Sequence, residues 1–172
     1  MNKQTFIDLV EQRSQDILAD KLSRGETKTE RKLGIIRGKQ VETVAIELLE
    51  THPNVDKIET QVFEEGLDDF SFIDIVITTK DGRTIYVPCA RDLWTGTAQQ
   101  DRLQCTWLKY KSGVFDTYDV VYLVLSDVDE ILNRKVTKRA RRAQKIIDVC
   151  TTLYDNNNMM NFDGLWEYVS PQ

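Results

Sequence analysis

The chain reads as an α/β protein, a mixed four-stranded sheet flanked by helices. Three observations carry that reading. Strand-like and helical runs follow one another as helix, helix, strand, strand, strand, helix, strand, helix, an interleaving typical of a sheet covered on both faces. Lys80-Asp81-Gly82 supplies a tight turn between the second and third strand runs, which makes that pair an antiparallel hairpin. Val120 to Leu125 is nearly all apolar, as a strand buried on both sides requires, and the helix before it permits a parallel crossover.

The elements follow in order. Residues 3–24 carry Phe6, Ile7, Val10, Ile17, Leu18 and Leu22 near helical spacing, with Gly25 as a C-terminal stop. Thr27-Lys28-Thr29-Glu30 has the form of a capping box and opens a second helix through Leu33, Ile36, Val41, Val44 and Leu48 to a stop before Pro53. Lys57 to Phe63 alternates as a first strand, and Phe70 to Thr78 is denser in apolar residues and central. Arg83 to Cys89 is rich in strand formers; Pro88 within it removes a backbone donor, which suits an edge strand or a bulge. Gly96 precedes a polar helix over about residues 97–111, Asp127 to Leu132 reads as a short helix, and Lys138 to Tyr154 as a longer basic one. The tail, with Asn156-Asn157-Asn158 and Gly164, reads as loop, with Leu165, Trp166, Tyr168 and Val169 available to pack back on the body. No repeat or linker divides the 172 residues, so one domain over 1–172 is expected.

Composition narrows the function classes. The hydrophobic share of 41% and charged share of 30% are those of a soluble globular protein. No run approaches the roughly 18 consecutive apolar residues of a membrane span, and the N-terminus lacks an apolar signal region. The expected location is therefore the cytoplasm of a bacterial or virus-infected cell, with no membrane partner. Cys89, Cys105 and Cys150 form no CxxC pair, which argues against a zinc ribbon and for three reduced thiols acting as small core residues. The single histidine, His52, stands at a helix end beside Pro53, a capping or loop position unpromising for a Ser-His-Asp triad.

Net charge is −5, but the charge is unevenly spread. Arg134, Lys135, Lys138, Arg139, Arg141, Arg142 and Lys145 follow one another with no intervening acid. Lys28, Arg31, Lys32, Arg37 and Lys39 form a second basic group, while Glu64-Glu65 and Asp68-Asp69 concentrate acid elsewhere. Separated patches of this kind orient a phosphate backbone on one side of an acidic protein. Contacts from the 134–145 run, with Arg37 and Lys39, are expected to bind nucleic acid in a salt-sensitive way with little sequence selectivity. Trp94, in a Gly-containing loop, is the one tryptophan placed as a candidate base-stacking residue; Trp107 and Trp166 read as packing anchors.

The element order, with Glu42 on the second helix and Asp74 on the second strand, resembles the PD-(D/E)xK superfamily of nucleases. The resemblance covers about residues 30–126. Arg37-Gly38-Lys39-Gln40-Val41-Glu42 is similar to the first core helix with its metal-binding glutamate. Ile73-Asp74-Ile75-Val76 is similar to the second strand with its aspartate, and Arg91-Asp92-Leu93-Trp94 with Gln99-Gln100-Asp101-Arg102 to the loop and helix after the third strand. The resemblance implies a restriction-endonuclease-like core, DNA as partner, and Mg²⁺ as cofactor. Proteins of this family commonly dimerise, and no residue pattern here fixes the oligomeric state.

Phosphodiester hydrolysis of this type uses a divalent cation to polarise the phosphate, activate water and offset charge on the leaving oxygen. Magnesium takes oxygen ligands and keeps several waters, so two or three converging carboxylates suffice. An acid and a lysine two residues apart on a strand point to one face. Here that acid-x-Lys pair is missing: Pro88 and Ala90 stand in its places, and a shift by one residue offers Cys89 and Arg91. A migrated site would draw on Asp92 as acid with Arg91 or Gln100 assisting, a bulge at Pro88 re-aiming the first two. The resemblance thus implies metal ligands Glu42, Asp74 and Asp92 in an endonuclease. The alternative from another class is a catalytically inactive member serving as a nucleic-acid-binding or viral accessory or structural protein. Within the second strand, alternation puts Asp74 on the face of Phe72 and Val76, and a carboxylate there needs a partner or a cation.

Overall fold

The computed structural model describes residues 3–27, 30–60, 73–90, 96–125 and 140–172. Helices α1 (Lys3–Ser23) and α2 (Glu30–Leu49) lead into strands β1 (Val55–Thr60), β2 (Ile75–Thr79), β3 (Thr84–Val87) and β4 (Cys89–Ala90). Helices α3 (Gly96–Lys111) and α4 (Val114–Thr117) precede β5 (Asp119–Val120) and β6 (Tyr122–Val124). Helix α5 (Ala140–Asp155), strand β7 (Met159–Met160) and helix α6 (Phe162–Val169) complete the chain.

Strands β1, β2, β3 and β5 form a four-stranded mixed sheet in that order, antiparallel through β3 and parallel from β3 to β5. β4, β6 and β7 continue it as a parallel set. The two parts meet where Val121 N–H donates to the Tyr86 carbonyl and Leu123 N–H to the Pro88 carbonyl, each at 2.9 Å. The expected mixed sheet and parallel crossover are therefore present. Pro88 lies on an interior strand, between β2 and β5, and not at an edge. Lacking an N–H, it divides the strand into β3 and β4 while its carbonyl still serves the neighbour.

Alternation along the strands divides the core between two faces. Ile75, Ile77, Ile85, Val87, Val121 and Leu123 pack with Phe6 and Val10 of α1, with Val41, Val44, Ala45 and Leu49 of α2, and with Phe162, Leu165 and Val169 of α6. On the other face Tyr122, Val124 and Met159 pack with Leu103 of α3 and with Ile146, Val149, Cys150 and Leu153 of α5. Nearby, Ile73, Val76, Tyr86 and Val120 meet Val114, Phe115 and Tyr118. Each fully buried aliphatic or aromatic side chain contributes about 1.5–3 kcal/mol. Among the described residues no helix is long and apolar enough to cross a membrane.

Helix α1 ends as its glycine demands. Gly25 has φ +84°, and Glu26 N–H reaches back to the Lys21 carbonyl at 3.1 Å, a left-handed stop that costs glycine no Cβ clash. The β2–β3 hairpin turns through Gly82 at φ +89°. There the Thr79 hydroxyl donates to Asp81, and this bond, with Arg83 alongside, lowers the Asp81 carboxyl to about 2.

The tail departs from the loop reading. Asn158 N–H and Asn157, at φ +59°, turn the chain out of α5 into β7, and Asn161 caps α6 by accepting from Gly164 N–H at 2.9 Å. Gly164 is tolerated inside α6 because a Cβ there would lie 3.0 Å from the Met160 Cβ. His52 holds the turn after α2, as expected of a capping or loop position, but it is buried: 3% exposed, it accepts from Asn54 N–H through Nδ1 at 3.1 Å. Its Nε2 lies 3.3 Å from the Ser170 hydroxyl, and the ring packs edge-on to Trp166. Burial lowers its pKa from 6.5, so it is a neutral joint between the α2–β1 turn and α6.

Arg83 makes the same end of the molecule rigid. Its guanidinium donates to the carbonyls of Tyr168, Val169 and Ser170 at 2.7–3.0 Å, the last carbonyls of α6, which have no partner within the helix. Tyr168 Oη in turn donates to Asp119 at 2.7 Å; burial raises the carboxyl of Asp119, and burial with this bond pushes the Tyr168 phenol to about 12. Arg83→Met is expected to lower stability by about 2 kcal/mol, the scale of charge-assisted bonds to partly buried carbonyls. The fall in urea midpoint measures it, and an unchanged midpoint would show that α6 holds without this clamp.

Candidate functional site

The site is assembled at the C-terminal end of β3, opposite the Arg83 clamp. Asp74 lies one residue before β2, half-buried, with its own N–H directed at the Val87 carbonyl at 3.3 Å. Its carboxylate Oδ2 accepts the N–H of Cys89 at 2.7 Å. The break at Pro88 explains this contact. The strand loses its regular ladder there, and a side-chain carboxylate takes the first amide after the break. Ile73, not Asp74, packs with Val76, so the expected alternation fails at this point: β2 begins only at Ile75, and the preceding residues are not bound by its pleat.

Glu42 reaches the same place from α2. Val41 and Ala45 bury one face of the helix in the cluster that contains Val87 and Cys89, and this seats Glu42 beside β4. Its side chain is only 15% exposed, and both carboxylate oxygens accept from Lys39 Nζ, at 2.9 and 3.0 Å. Gly38, one turn earlier, has nothing among the described residues within 4 Å of where a Cβ would stand. The Cys89 thiol senses the whole group. Burial raises its pKa well above the ordinary value of 9.0; the carboxylates of Asp74 and Glu42 raise it further, and the Lys39 ammonium opposes them. An acid and a cation from α2 and an acid from the start of β2 therefore all influence the Cys89 thiol.

Glu42 and Asp74 carry hard oxygen donors of the kind that magnesium accepts alongside its waters, one paired with Lys39 and one bound to the Cys89 amide. Asp92, the expected third acid, and Arg91 lie outside the described residues, as does the side chain of Gln100. Among the described residues no group of three His, Cys, Asp or Glu side chains is placed to hold a metal.

The expected nucleic-acid contacts divide in the same way. Arg37 grips Glu11 of α1 through Nε at 2.8 Å and Nη2 at 2.6 Å, a bond that lowers the Glu11 carboxyl; a phosphate there would have to share or displace that partner. Lys39 is 60% exposed. Lys145 is exposed on α5, whose opposite side is buried through Ile146, Val149 and Leu153. Arg134, Lys135, Lys138, Arg139 and the expected short helix over 127–132 lie outside the described residues, as do the side chains of Arg141 and Arg142. Trp94 lies outside them too, whereas Trp107 stacks on Tyr110 and Trp166 packs on His52 and Phe162.

Sequence reasoning read Lys39 as a phosphate contact and overlooked its bond to Glu42. The signal was present: a lysine three residues before a glutamate on a helix shares its face. The thiols offer a check on the packing. All three are free, Cys89 and Cys150 buried and Cys105 half-exposed, and burial pushes Cys150 to about 12. With iodoacetamide at neutral pH, Cys105 is expected to react first and the other two at least ~100-fold more slowly, through transient opening. Rapid labelling of Cys89 in the native protein would contradict a closed strand end.

In comparisons with known proteins, no family model, no curated protein and no solved structure matches this chain.

Proposed function

We propose that this chain is a DNA-processing protein with a restriction-endonuclease-like core that hydrolyses phosphodiester bonds with Mg²⁺. The observation that carries the reading is that Asp74, from the start of β2, binds the Cys89 amide at the broken strand end, on which helix α2 with Glu42 also packs. A helix before an antiparallel hairpin, followed by a helical crossover to a parallel strand, supports the same reading. Glu42 and Asp74 would hold the ion, with Asp92 as a further ligand. Once bound, magnesium polarises the phosphate and makes its water a better nucleophile at neutral pH. The protein contributes two carboxylates, one kept in place by the packing of α2 and one by the Cys89 amide. Basic residues of the 134–145 run draw the DNA backbone toward the protein, with affinity falling steeply as salt rises.

One observation favours the second reading, a nuclease-fold protein that binds nucleic acid without cutting it: Pro88, Cys89 and Ala90 carry neither acid nor lysine at the strand end. The two are separated by incubating plasmid and branched DNA with the protein in Mg²⁺ or Mn²⁺, beside Asp74→Ala. Cleavage lost in the variant supports the nuclease. Salt-sensitive DNA retention without cleavage supports the binder, and neither cleavage nor retention removes the nucleic-acid reading.

A further inference from the structure

We propose that the groove between α5 and α6, beside β7, is a docking site for a basic, extended peptide segment of a partner protein. The inference is independent of the nuclease reading: the groove lies on the side of the Arg83 clamp, where Tyr168 is part of its lining.

The topology leaves this opening. Helix α5 covers one face of the sheet and α6 the other, and β7 is the outermost strand of its set among the described residues. The two helices therefore flank a sheet edge without meeting over it. The space between them is about 760 Å³, within the roughly 300–1,000 Å³ range of ligand sites. Gly164 adds no side chain to the α6 wall.

The lining selects positive charge. Asp155, at the end of α5, and Glu167, on α6, are exposed carboxylates, and among the described residues no lysine or arginine lines the groove. Arg83 stands 5.9 Å from the centre of the Tyr168 ring, but it is held by the carbonyls ending α6 and is not part of the lining. An anionic ligand is repelled by this wall, and a guanidinium or ammonium is attracted. Tyr154, 39% exposed, adds an aromatic surface of the kind that receives such cations. A bare metal ion fits less well, because among the described residues no group of three His, Cys, Asp or Glu is placed to hold one. The shape favours a peptide over a small amine. From Asn161 to Tyr168 helix α6 runs about 10 Å, the reach of about three extended residues. Successive side chains of an extended segment point to opposite sides, and the two acids stand on opposite walls, so two neighbouring basic residues serve both. The side-chain amide of Asn157 offers a hydrogen-bond partner to peptide groups, and the Met160 thioether a soft, adaptable contact.

The test is fluorescence anisotropy of a short labelled peptide with two adjacent arginines at its centre, titrated with the full chain. Saturable binding by the wild type is expected. The double variant Asp155→Asn/Glu167→Gln is expected to bind about tenfold more weakly, as two exposed ion pairs are lost, and Tyr154→Ala about threefold more weakly. All of these side chains are exposed, so the variants are expected to keep the native circular dichroism. Asp16→Asn/Glu50→Gln makes the same change of charge at exposed positions outside the groove and is expected to bind as the wild type does. No saturable binding by the wild type would overturn the proposal. Equal weakening in the two double variants would overturn it as well, by reducing the attraction to the general acidity of the chain. Displacement of the peptide by spermine at the peptide's own concentration would assign the groove to small cations instead. Self-association of the wild type, measured by sedimentation and abolished only by the groove variant, would seat a second copy there and overturn the partner peptide equally.

Discussion

Asp74→Asn is expected to abolish metal-dependent DNA cleavage, by about 10²–10³-fold or more, while leaving the fold intact. The magnitude is that of removing one preorganised electrostatic contact from a reacting centre. Asparagine is nearly the same size and keeps a carbonyl oxygen for the Cys89 amide, which the aspartate now binds at 2.7 Å. It lacks the charge that a divalent cation needs. Asp74→Ala removes both, leaving an amide at the Pro88 break without its side-chain acceptor and adding a stability loss of about 1–3 kcal/mol. The pair of variants separates chemistry from folding: activity falls in both, and the urea midpoint falls only in the alanine. Equal losses of stability would mean that asparagine does not replace the carboxylate at the strand end. Full activity in Asp74→Asn would remove Asp74 from the site.

Phe162→Ala carries the largest expected effect on stability, about 3–5 kcal/mol. Phe162 is 1% exposed and opens α6. Its ring stacks on Phe6 of α1 with centroids 4.4 Å apart and planes 10° apart, and Trp166 packs against it. Truncation opens a cavity where α1, α6 and the sheet meet, and loses the aromatic pair as well. Native domains are stable by only about 5–15 kcal/mol in total, so the variant should unfold at a temperature lower by about 10 °C or more. Thermal unfolding followed by circular dichroism measures this. A shift of only a degree or two would mean that α6 lies on the body without stabilising it.

The helix that Phe162 opens is also where the sequence was hardest to read. Phe162, Leu165, Trp166 and Val169 have helical spacing, and Asn161 is a good cap. Gly164 and three consecutive asparagines outweigh that signal when only local propensity is considered. The glycine answers the close approach of Met160, four residues earlier where the chain enters the helix, and Asn157 is there for a left-handed turn. The loop position of His52 was legible, but its burial was not, because that depends on Ser170 and Trp166, more than a hundred residues away.

By contrast, the hairpin and the crossover were legible because their signals are local: Gly82 at the turn, and an apolar run after a helix. Pro88 correctly marked a disturbance. Whether it lay at an edge or inside the sheet depends on which strand arrives from the other side, and β5 arrives only after α3 and α4. The two acids of the site were identifiable from their elements, Glu42 on a helix and Asp74 beside a strand. Their convergence on Cys89, and the bond that Lys39 gives to Glu42, required the packing of α2 on β4.

The account's central claim is that Glu42 and Asp74 together form a divalent-cation site. Calorimetric titration of Mn²⁺ into the wild type, Glu42→Gln and Asp74→Asn tests it most directly. Saturable binding by the wild type, weakened at least tenfold in each variant, is the expected result. No binding by the wild type, or binding undiminished in both variants, would contradict it.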